Sequence, residues 1–426
     1  MIEIIPSGKI NATVMVPGSK SYTNRALVAA FLAVGESVIR NALLSDDTQY
    51  MMSCLNESGV CVKSIPEDGV LVINGCGGEI PVKEAKLFAG NAGTVVRFMT
   101  AALTVGSGSY EIDGVERMRN RPIEELIDGL NQAGADVASK HKTGCPPVLI
   151  NAHGLRGGTI TLKGGVSSQY VSAILLAAPY ASNDVRVVLS EDLVSKKYVD
   201  MTIAVMNVFG VDVERKSYKE FYVKSGQVYK GCEYTVEPDA SSASYFFAAA
   251  AITGGKVRVE GLGVNSRQAD ASFVDILGKM GCAVKKADNR LEVEGGRLKG
   301  IDIDMNGAPD VVQTLAAVAV FAEGKTCIRN VRNLRYKETD RITALVNELK
   351  KIGISVKEYE DGLEIEASTP HSAEIATYDD HRMAMSFALI GLRTKGIKIT
   401  NPECVNKTFP DFFERLEGIH TPGPSF

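Results

Sequence analysis

Residues 18–33, GSKSYTNRALVAAFLA, run from a short polar loop directly into an Ala- and Leu-rich segment. The same change from a polar loop to an apolar segment occurs six times, about 70 residues apart. A fixed period of this kind is the signature of one folding unit used repeatedly. The sequence therefore predicts six similar units. Their loops begin at Gly18, Gly90, Gly165, Pro238, Gly307 and Asp379.

Each polar loop is expected to begin a buried helix, because the residues that follow are apolar all round. The N–H groups at a helix start, together with the helix dipole, form a natural site for anions. Lys20 and Arg25 lie in the first two turns of the first such helix, and Ser21 is a candidate cap. Cations there oppose the dipole, so a bound anion would explain them. Solvated surface charge is the alternative interpretation for either residue alone.

A second series of helices is amphipathic and ends at glycine, as at Gly59, Gly134 and Gly210. Glycine just past the last apolar turn is typical of a helix C-cap, and the alternating residues after it indicate strands. The unit is then strand, buried helix, strand, amphipathic helix and strand pair, or βαβαββ. Six units divide into two similar α/β domains, and each domain contains three units. The buried helices of a domain are expected to pack in parallel and to be covered by sheets. The units alone leave open whether the domains are consecutive or one is inserted into the other.

The composition is that of an ordinary soluble globular protein of 426 residues, with 45% hydrophobic and 23% charged residues. A net charge of −4 argues against nucleic-acid binding. The eight cysteines form no C-x-x-C pair and there are only five histidines, so no metal site is expected. The N-terminus lacks the features of a secretory signal, and apolar runs are too short to span a membrane. We therefore expect a cytoplasmic protein with no membrane partner.

Acid–base chemistry is suggested by the charged segment 333–341. Lys337 and Arg341 are spaced i and i+4, which predicts one helix face, and Glu338 stands beside them. A carboxylate held among cations near a substrate can serve as a general acid and base. The alternative is a surface helix with ordinary ion pairs. Asp310, beside Pro309 at a buried helix start, is either a cap or a base.

Several other loops offer groups that bind anions. Ser167, Ser168 and Gln169 carry two hydroxyls and an amide. Gly93 permits close approach of the backbone to a ligand. The arginines near 341 and 382 suggest a carboxylate and a phosphate, which guanidinium groups bind bidentately. The residues thus predict a two-domain enzyme for small, phosphorylated anionic metabolites that uses no metal, but they do not define a reaction.

A set of motifs together resembles the 5-enolpyruvylshikimate-3-phosphate synthase family along nearly the whole chain. The resemblance implies transfer of the enolpyruvyl group of phosphoenolpyruvate to the 5-hydroxyl of shikimate 3-phosphate, with release of phosphate, in aromatic amino-acid synthesis. The motifs are Pro17-Gly18-Ser19-Lys20-Ser21 with Asn24-Arg25, Gly90-Asn91-Ala92-Gly93-Thr94 with Arg97, Arg121-Pro122, Ser167-Ser168-Gln169, 239–245, 337–341, 380–385 and 407–411.

The resemblance also implies a domain arrangement. Two three-unit domains are joined by a double crossover and hinged around an inter-domain cleft. Domain one would comprise residues 1–18 and 238–426, with 19–237 inserted as domain two. A monomer that needs no cofactor is expected. Glyphosate, which competes with phosphoenolpyruvate in the family, is expected to find room beside Gly93.

The site residues carried over by motif fall into three groups. The catalytic group would be Glu338, Asp310, Lys20 and Lys337, with Glu338 protonating C3 of phosphoenolpyruvate and Asp310, with a lysine nearby, helping to remove the 5-hydroxyl proton. Shikimate 3-phosphate would contact Lys20, Ser21, Arg25, Ser167, Ser168, Gln169, Ser195, Tyr198, Asp310, Asn333 and Lys337. The phosphoenolpyruvate site would be lined by Lys20, Asn91, Gly93, Arg121, Gln169, Arg341, Arg382 and Lys407.

Two other functions remain open at this point. The sister enolpyruvyl transferase that acts on UDP-N-acetylglucosamine shares the fold and uses a loop cysteine as its acid. Cys145 is the candidate for that role here, although its position is that of a residue entering a strand. A non-catalytic sugar-phosphate binding protein is the second alternative. Glu338, Asp310 and Lys20 argue against it, because binding alone needs no acid at that position.

Overall fold

The structure, a computed structural model, describes residues 1–420 apart from the side chain of Asp68. The chain forms two compact units, one of residues 1–17 with the chain from Pro238 onward, and one of Gly18–Glu237. Gly18, expected in the discontinuous unit, is the first residue of the inserted one. A Cβ atom there would lie 1.8 Å from the backbone oxygen of Asn41, so Gly18 packs directly on the inserted unit.

The helices alternate between buried and amphipathic, as the repeat predicts. Short 3₁₀ helices add Pro66–Asp68, Met118–Asn120, Ala178–Tyr180, Ala269–Ser272, Pro309–Val311, Arg332–Tyr336 and Pro402–Lys407. The α-helices of the described residues are α1 (Lys20–Leu32), α2 (Asp46–Glu57), α3 (Gly93–Leu103), α4 (Glu124–Gln132), α5 (Ser168–Ala177), α6 (Lys197–Val208), α7 (Ala240–Thr253), α8 (Phe273–Lys279), α9 (Val312–Ala319), α10 (Arg341–Lys351), α11 (His381–Gly391) and α12 (Phe412–Gly418).

The strands are short and fall between the helices in the predicted order. They are β1 (Ile2–Glu3), β2 (Asn11–Val14), β3 (Glu36–Arg40), β4 (Val62–Ile65), β5 (Val70–Asn74), β6 (Glu84–Phe88), β7 (Ser107–Asp113), β8 (Val137–Ser139), β9 (Val148–His153), β10 (Gly158–Leu162), β11 (Val185–Leu189), β12 (Glu214–Lys216), β13 (Glu220–Val223), β14 (Glu233–Thr235), β15 (Lys256–Glu260), β16 (Ala283–Ala287), β17 (Arg290–Glu294), β18 (Asp302–Asp304), β19 (Lys325–Arg329), β20 (Ser355–Tyr359), β21 (Gly362–Glu366), β22 (Ala373–Ile375) and β23 (Ile397–Ile399).

Within the described residues each unit contains three sheets, and five of these six sheets share one design. In the inserted unit their strand orders are β14-β3-β5-β4, β6-β7-β9-β8 and β10-β11-β13-β12. In each of these three sheets the first pair is parallel and the remaining pairs are antiparallel. The discontinuous unit has β2-β15-β17-β16, β18-β19-β21-β20 and the shorter β1-β23-β22. The repeated α/β fold predicted from the sequence is confirmed.

The strands that precede α1 and α7 exchange partners where the chain passes between the units: each pairs with the strand that follows the other helix. Strand β2 precedes α1 in the chain, yet it pairs in parallel with β15 of the discontinuous unit. Strand β14 precedes α7, yet it pairs in parallel with β3 of the inserted unit. In the sixth repeat the described residues hold no strand pair after β23, and β1 pairs antiparallel with β23 instead.

Three buried helices form the centre of each unit. In α7 every residue from Ser242 to Ile252 is buried, and in α1 every residue from Tyr22 to Leu32 is buried. The amphipathic helices end where the sequence predicts. Their C-terminal glycines Gly59, Gly134, Gly210, Gly281 and Gly353 all have φ between +84° and +110°, the left-handed backbone that glycine adopts without strain. Within residues 1–420 no helix has the length and apolar character needed to cross a bilayer.

Candidate active site

Lys20 is the first residue of α1, and its ammonium group lies beside a carboxylate of the same unit. Its Nζ is 2.9 Å from Oδ2 of Asp47, which is buried in the first turn of α2. Ser19 occupies the N-cap position, so the prediction that Ser21 caps the helix is wrong. Ser21 is the second residue of α1, and its backbone oxygen accepts a hydrogen bond from Arg25 Nη1 at 2.9 Å.

Arg25 is fully buried and joins α1 to α6. Its Nε donates to the Thr202 hydroxyl at 2.7 Å, and its Nη2 donates to the Tyr198 backbone oxygen at 3.0 Å. The ring of Phe98 lies 5.2 Å from the guanidinium carbon. Burial lowers the pKa of Arg25 to about 10, which still leaves the group charged at neutral pH. The side chain therefore fixes the start of α6 against α1.

A guanidinium cluster forms around the start of α3, and we define it as Asn91, Gly93, Arg97, Arg121 and Gln169. Arg121 Nη1 donates to the backbone oxygen of Asn91 at 2.8 Å and to its side-chain oxygen at 3.1 Å. A Cβ atom on Gly93 would lie 2.6 Å from Arg121 Nη2 and 3.0 Å from Arg97 Nη1. With glycine at this position both guanidinium groups can lie directly against the backbone, and an added Cβ atom would force Arg121 to shift.

Arg97 connects this cluster to α5. Its Nη1 donates to Gln169 Oε1 at 2.6 Å, and its Nη2 donates to the Pro122 backbone oxygen at 3.1 Å. The Tyr170 hydroxyl donates to the same Pro122 oxygen at 2.6 Å, and the Tyr170 ring lies 5.3 Å from the guanidinium carbon. The starts of α3 and α5 therefore lie side by side, as expected for helices whose N-termini share one face.

The serine loops of the inserted unit are built on helix starts. Ser167 caps α5 by accepting a hydrogen bond from the Gln169 backbone N–H, and Ser168 is buried in the first turn. Ser195 is buried with φ of +53°, a left-handed conformation that is unfavourable for residues other than glycine. Its backbone oxygen accepts from the Tyr198 N–H at 3.1 Å, and this turn begins α6. Such strain is concentrated at functional sites.

A carboxylate cluster occupies the corresponding place in the discontinuous unit, and we define it as Asp310, Glu338, Arg341, Asp380 and Arg382. Arg341 is 1% exposed and reaches three carboxylates. The distances are 2.7 Å to Asp380, 2.8 Å to Glu338 and 3.1 Å to Asp310. Burial alone would lower the pKa of Arg341, but the carboxylates raise it above its usual value. The cluster is therefore organised around one buried cation.

The Asp310 carboxylate lies close to three cations. Its carboxylate lies 3.1 Å from Arg341, 3.3 Å from Arg382 and 3.6 Å from Lys337. It stands in the 3₁₀ turn Pro309–Val311 before α9, where the N-cap position belongs to Ala308. The alternative that Asp310 is simply an N-cap residue is therefore wrong.

Lys337 and Arg341 both reach Asp310, but they do not share a helix face as predicted. The 3₁₀ helix Arg332–Tyr336 ends before Lys337, which has extended backbone, and α10 begins only at Arg341. Asp340 caps α10 by accepting from the Thr343 N–H at 3.1 Å. The interruption places Lys337 and Glu338 in a loop that reaches over the start of the helix.

Glu338 is buried between two cations. One carboxylate oxygen is 2.8 Å from Arg341 Nη2, and the other is 3.9 Å from Lys407 Nζ. Lys407 is itself buried at the end of the 3₁₀ helix Pro402–Lys407. The alternative of a surface helix with ordinary ion pairs is therefore wrong, because Glu338 is buried with cations at fixed distances. A general acid and base needs such a fixed position within reach of its substrate.

Arg382 and Asn333 are the remaining candidate site residues of the discontinuous unit. Arg382 Nη1 lies 3.5 Å from the buried hydroxyl of Tyr245, whose pKa burial raises to about 12. Arg382 Nη2 lies 3.3 Å from the Ser241 hydroxyl. Asn333 is 8% exposed, and its side-chain oxygen accepts no hydrogen bond within the described residues. A buried amide oxygen in this state indicates a missing donor.

The contacts assemble the predicted residues into two groups and add some that the sequence reasoning missed. Asn91, Gly93, Arg121 and Gln169 are brought together in one group, and Asp310, Lys337, Glu338, Arg341, Arg382 and Lys407 in the other. The missed residues are Asp47, which pairs with Lys20, and Asp270, which is buried beside the carboxylate cluster. Neither stands in a distinctive motif, so only the fold reveals it. In residues 1–420 no group of three or more His, Cys, Asp or Glu side chains is placed to hold a metal.

The chain matches known proteins along nearly its whole length. The family model of EPSP synthase (3-phosphoshikimate 1-carboxyvinyltransferase) matches residues 4–416. This chain belongs to the EPSP synthase family. A 3-phosphoshikimate 1-carboxyvinyltransferase of Nostoc punctiforme is 48% identical over 408 residues, which is 96% of each chain. One from Sulfurovum sp. is 46% identical over 422 residues, covering 98% of this chain and 99% of the relative.

The fold agrees with solved structures of the EPSP synthase family. A structure of EPSP synthase from Acinetobacter baumannii superposes with a TM-score of 0.82 at 29% identity, covering 99% of this chain and 98% of that one. Both clusters therefore lie on a scaffold that this solved structure shares along nearly its whole length.

Proposed function

We propose that this chain is a 3-phosphoshikimate 1-carboxyvinyltransferase (EC 2.5.1.19) of the shikimate pathway. It transfers the enolpyruvyl group of phosphoenolpyruvate to the 5-hydroxyl of shikimate 3-phosphate and releases phosphate. The observation that supports this most directly is Glu338, a buried carboxylate fixed 2.8 Å from Arg341 and 3.9 Å from Lys407 within a chain of this family. A protein that only binds sugar phosphates would not need a buried acid among the cations that hold the anions.

The proposed reaction is an addition followed by an elimination. The 5-hydroxyl oxygen bonds to C2 of phosphoenolpyruvate while Glu338 gives a proton to C3. Asp310, together with Lys20 or Lys337, is proposed to take the hydroxyl proton. The C2–phosphate bond then breaks, a proton leaves C3, and the enol ether remains. Arg341 and Lys407 serve this sequence because they hold Glu338 in place beside the site.

Shikimate 3-phosphate is proposed to bind through hydroxyls, amides and cations at helix starts. The capped start of α5, with Ser167 and Ser168, and the strained turn at Ser195 offer donors for a phosphate group. The unsatisfied oxygen of Asn333 would accept a hydrogen bond from a sugar hydroxyl. The remaining proposed contacts are Lys20, Ser21, Arg25, Gln169, Tyr198, Asp310 and Lys337.

Phosphoenolpyruvate is proposed to bind to cations of both clusters, because its carboxylate and phosphate suit planar guanidinium groups. Arg121 lies against Gly93 with no intervening side chain, which leaves room for a small anion and, by the same argument, for glyphosate. The proposed contacts are Lys20, Asn91, Gly93, Arg121, Gln169, Arg341, Arg382 and Lys407.

The sister reaction on UDP-N-acetylglucosamine is the competing proposal, and Cys145 is the residue that would decide it. Burial raises the pKa of the Cys145 thiol, so the group stays protonated at neutral pH. Blocking or replacing Cys145 should leave activity unchanged if Glu338 is the acid. Complete loss of activity in Cys145→Ser would favour the competing reaction.

The experiment that tests the main proposal measures phosphate release from phosphoenolpyruvate with shikimate 3-phosphate or with UDP-N-acetylglucosamine as acceptor. We expect release with shikimate 3-phosphate only, without added metal or cofactor. Substrate binding in calorimetry without phosphate release would contradict the enzymatic proposal.

We also propose a cytoplasmic monomer, as the family resemblance implies, and light scattering of the purified chain tests the oligomeric state.

A further inference from the structure

Asp270 is a buried acid that the proposed reaction does not use. It lies in the 3₁₀ helix Ala269–Ser272 and is 3% exposed. Its Oδ2 accepts a hydrogen bond from the Ser241 hydroxyl, and its Oδ1 has no hydrogen-bond partner within the described residues. A buried carboxylate with one unsatisfied oxygen costs stability. Its presence therefore calls for a reason other than folding.

The local structure is already held together without Asp270. The backbone N–H of Ala240 donates to Gln268 Oε1 at 3.1 Å, and Gln268 Nε2 donates to the Pro238 backbone oxygen at 2.7 Å. These two bonds join the 3₁₀ helix to the start of α7. Asp239 caps α7 by accepting from the Ser242 N–H at 2.7 Å. Asp270 is thus not needed to fix this junction.

The hydroxyl of Ser241 connects Asp270 to the carboxylate cluster. A serine hydroxyl has one hydrogen to donate and two lone pairs that accept. Because Ser241 donates to Asp270, a lone pair remains to accept from Arg382 Nη2 at 3.3 Å. The same Nη2 lies 3.3 Å from Asp310. The hydrogen bonds therefore run in one direction, from Arg382 through Ser241 to Asp270.

We propose that Asp270 is a positioning residue that acts through Ser241 to fix the Arg382 guanidinium for phosphoenolpyruvate. The proposal rests on the function proposed above, in which Arg382 binds that substrate. A carboxylate accepts the Ser241 hydrogen more strongly than a neutral amide or a protonated carboxyl does. Without the negative charge the hydroxyl is less firmly oriented and can turn its hydrogen toward Arg382, which has no lone pair to accept it. Arg382 would then lose one of the groups that set its plane, and the affinity for phosphoenolpyruvate would fall while the chemical step remained intact.

The charges around Asp270 make this effect dependent on pH. The groups that face it are Asp310 before α9, Asp239 at the start of α7 and Arg382 on α11. Burial, and next the charge of Asp310, raise the pKa of Asp270 to about 7, although Arg382 opposes the rise. Asp270 therefore accepts from Ser241 as a carboxylate above neutral pH and becomes protonated below it, so the positioning should weaken on acidification.

The test compares steady-state phosphate release by the wild type, Asp270→Asn, Ser241→Ala and the double variant. We expect each single variant to raise KM for phosphoenolpyruvate about tenfold with kcat within about threefold, as for loss of one hydrogen bond. The double variant should resemble either single one, because both interrupt the same path. Additive effects, or an unchanged KM, would overturn the proposal. Asp275→Asn, an exposed acid on α8, is the matched control and should behave as the wild type.

A pH series separates positioning from a purely structural role. The ratio of kcat/KM of the wild type to that of Asp270→Asn should be about ten above pH 8 and approach one near pH 5.5. Titration of the substrate and of shared groups cancels in this ratio. A ratio that does not change with pH would overturn the proposal. Absence of turnover in the wild type would instead reject the proposed function. If Asp270→Asn does not fold, Ser241→Ala still tests the positioning role.

Discussion

The guanidinium cluster of the inserted unit and the carboxylate cluster of the discontinuous unit hold their arginines in different ways. In the first, Arg97 and Arg121 donate to backbone and amide oxygens, which are neutral. In the second, Arg341 donates to three carboxylates. An arginine–carboxylate pair adds the attraction between two opposite charges, which a hydrogen bond from arginine to a neutral oxygen lacks. The carboxylate cluster is therefore the rigid side, suited to acid–base groups, and the guanidinium cluster can adjust to an anion.

This difference predicts that substitutions in the carboxylate cluster have the larger effects. Glu338→Gln should lower kcat by about 10²–10⁴-fold, because the amide keeps the shape but cannot give a proton. Binding of shikimate 3-phosphate, measured by calorimetry, should be retained. Glu360→Gln provides the matched control, since Glu360 is exposed and pairs with Arg332 on the same unit. Unchanged turnover in Glu338→Gln would remove Glu338 from the mechanism.

Arg341 should carry the largest share of stability in either cluster. Arg341→Met leaves three buried or half-buried carboxylates without their common partner, which should cost about 3–5 kcal/mol of the free energy of unfolding. Urea denaturation measures the loss. Arg329→Met is the control, because Arg329 pairs with the exposed Asp302 and such pairs contribute about 1 kcal/mol or less. Equal losses in the two variants would show that the buried carboxylate cluster contributes no more to the free energy of unfolding than an exposed ion pair does.

Asp270→Asn should stabilise the protein in a pH-dependent way. The folded state holds the Asp270 proton up to about pH 7, whereas the unfolded chain releases it near the ordinary value of 3.8. Stability of the wild type therefore falls as pH rises between these values and is constant above them. The variant lacks this loss, so its advantage should grow from near zero at pH 4 to at most about 4 kcal/mol at pH 8. Thermal unfolding at both pH values tests this, and an advantage greatest at pH 4 would contradict it.

Much of the fold could be predicted because the repeat signals are local. The C-terminal glycines such as Gly59 and Gly353 have the left-handed backbone that their position in the pattern predicts. The break between Lys337 and Arg341 was also marked locally, since Asp340 is a strong N-cap residue, but the i and i+4 spacing of the cations masked it. That spacing favoured one continuous helix, and the prediction was wrong for that reason.

The partners of the site residues could not be predicted, because they come from distant parts of the chain. Asp47 stands in an ordinary acidic first turn of α2, and nothing in its neighbours indicates that it reaches Lys20. Asp270 follows an exposed loop, and its contact with Ser241 depends on how the 3₁₀ helix packs on α7. Helix starts are encoded locally, whereas the pairing of charges among them is a property of the packed unit.

The smallest of these effects is expected in the guanidinium cluster, for Gly93→Ala. The added Cβ would lie 2.6 Å from Arg121 Nη2, so that guanidinium must move by several tenths of an ångström. Its hydrogen bonds to Asn91 are to neutral oxygens and yield at modest cost. We expect KM for phosphoenolpyruvate to rise about tenfold, with the unfolding free energy changed by less than about 1 kcal/mol.

Gly418→Ala is the control for this variant, because nothing lies within 4 Å of a Cβ atom there. It should leave both KM and stability unchanged. A loss of several kcal/mol in Gly93→Ala would show that Arg121 is held as firmly as Arg341, and the contrast between an adjustable and a rigid cluster would fail. A rise in KM without loss of stability would support it, because the cost of moving Arg121 would then appear only when the anion binds.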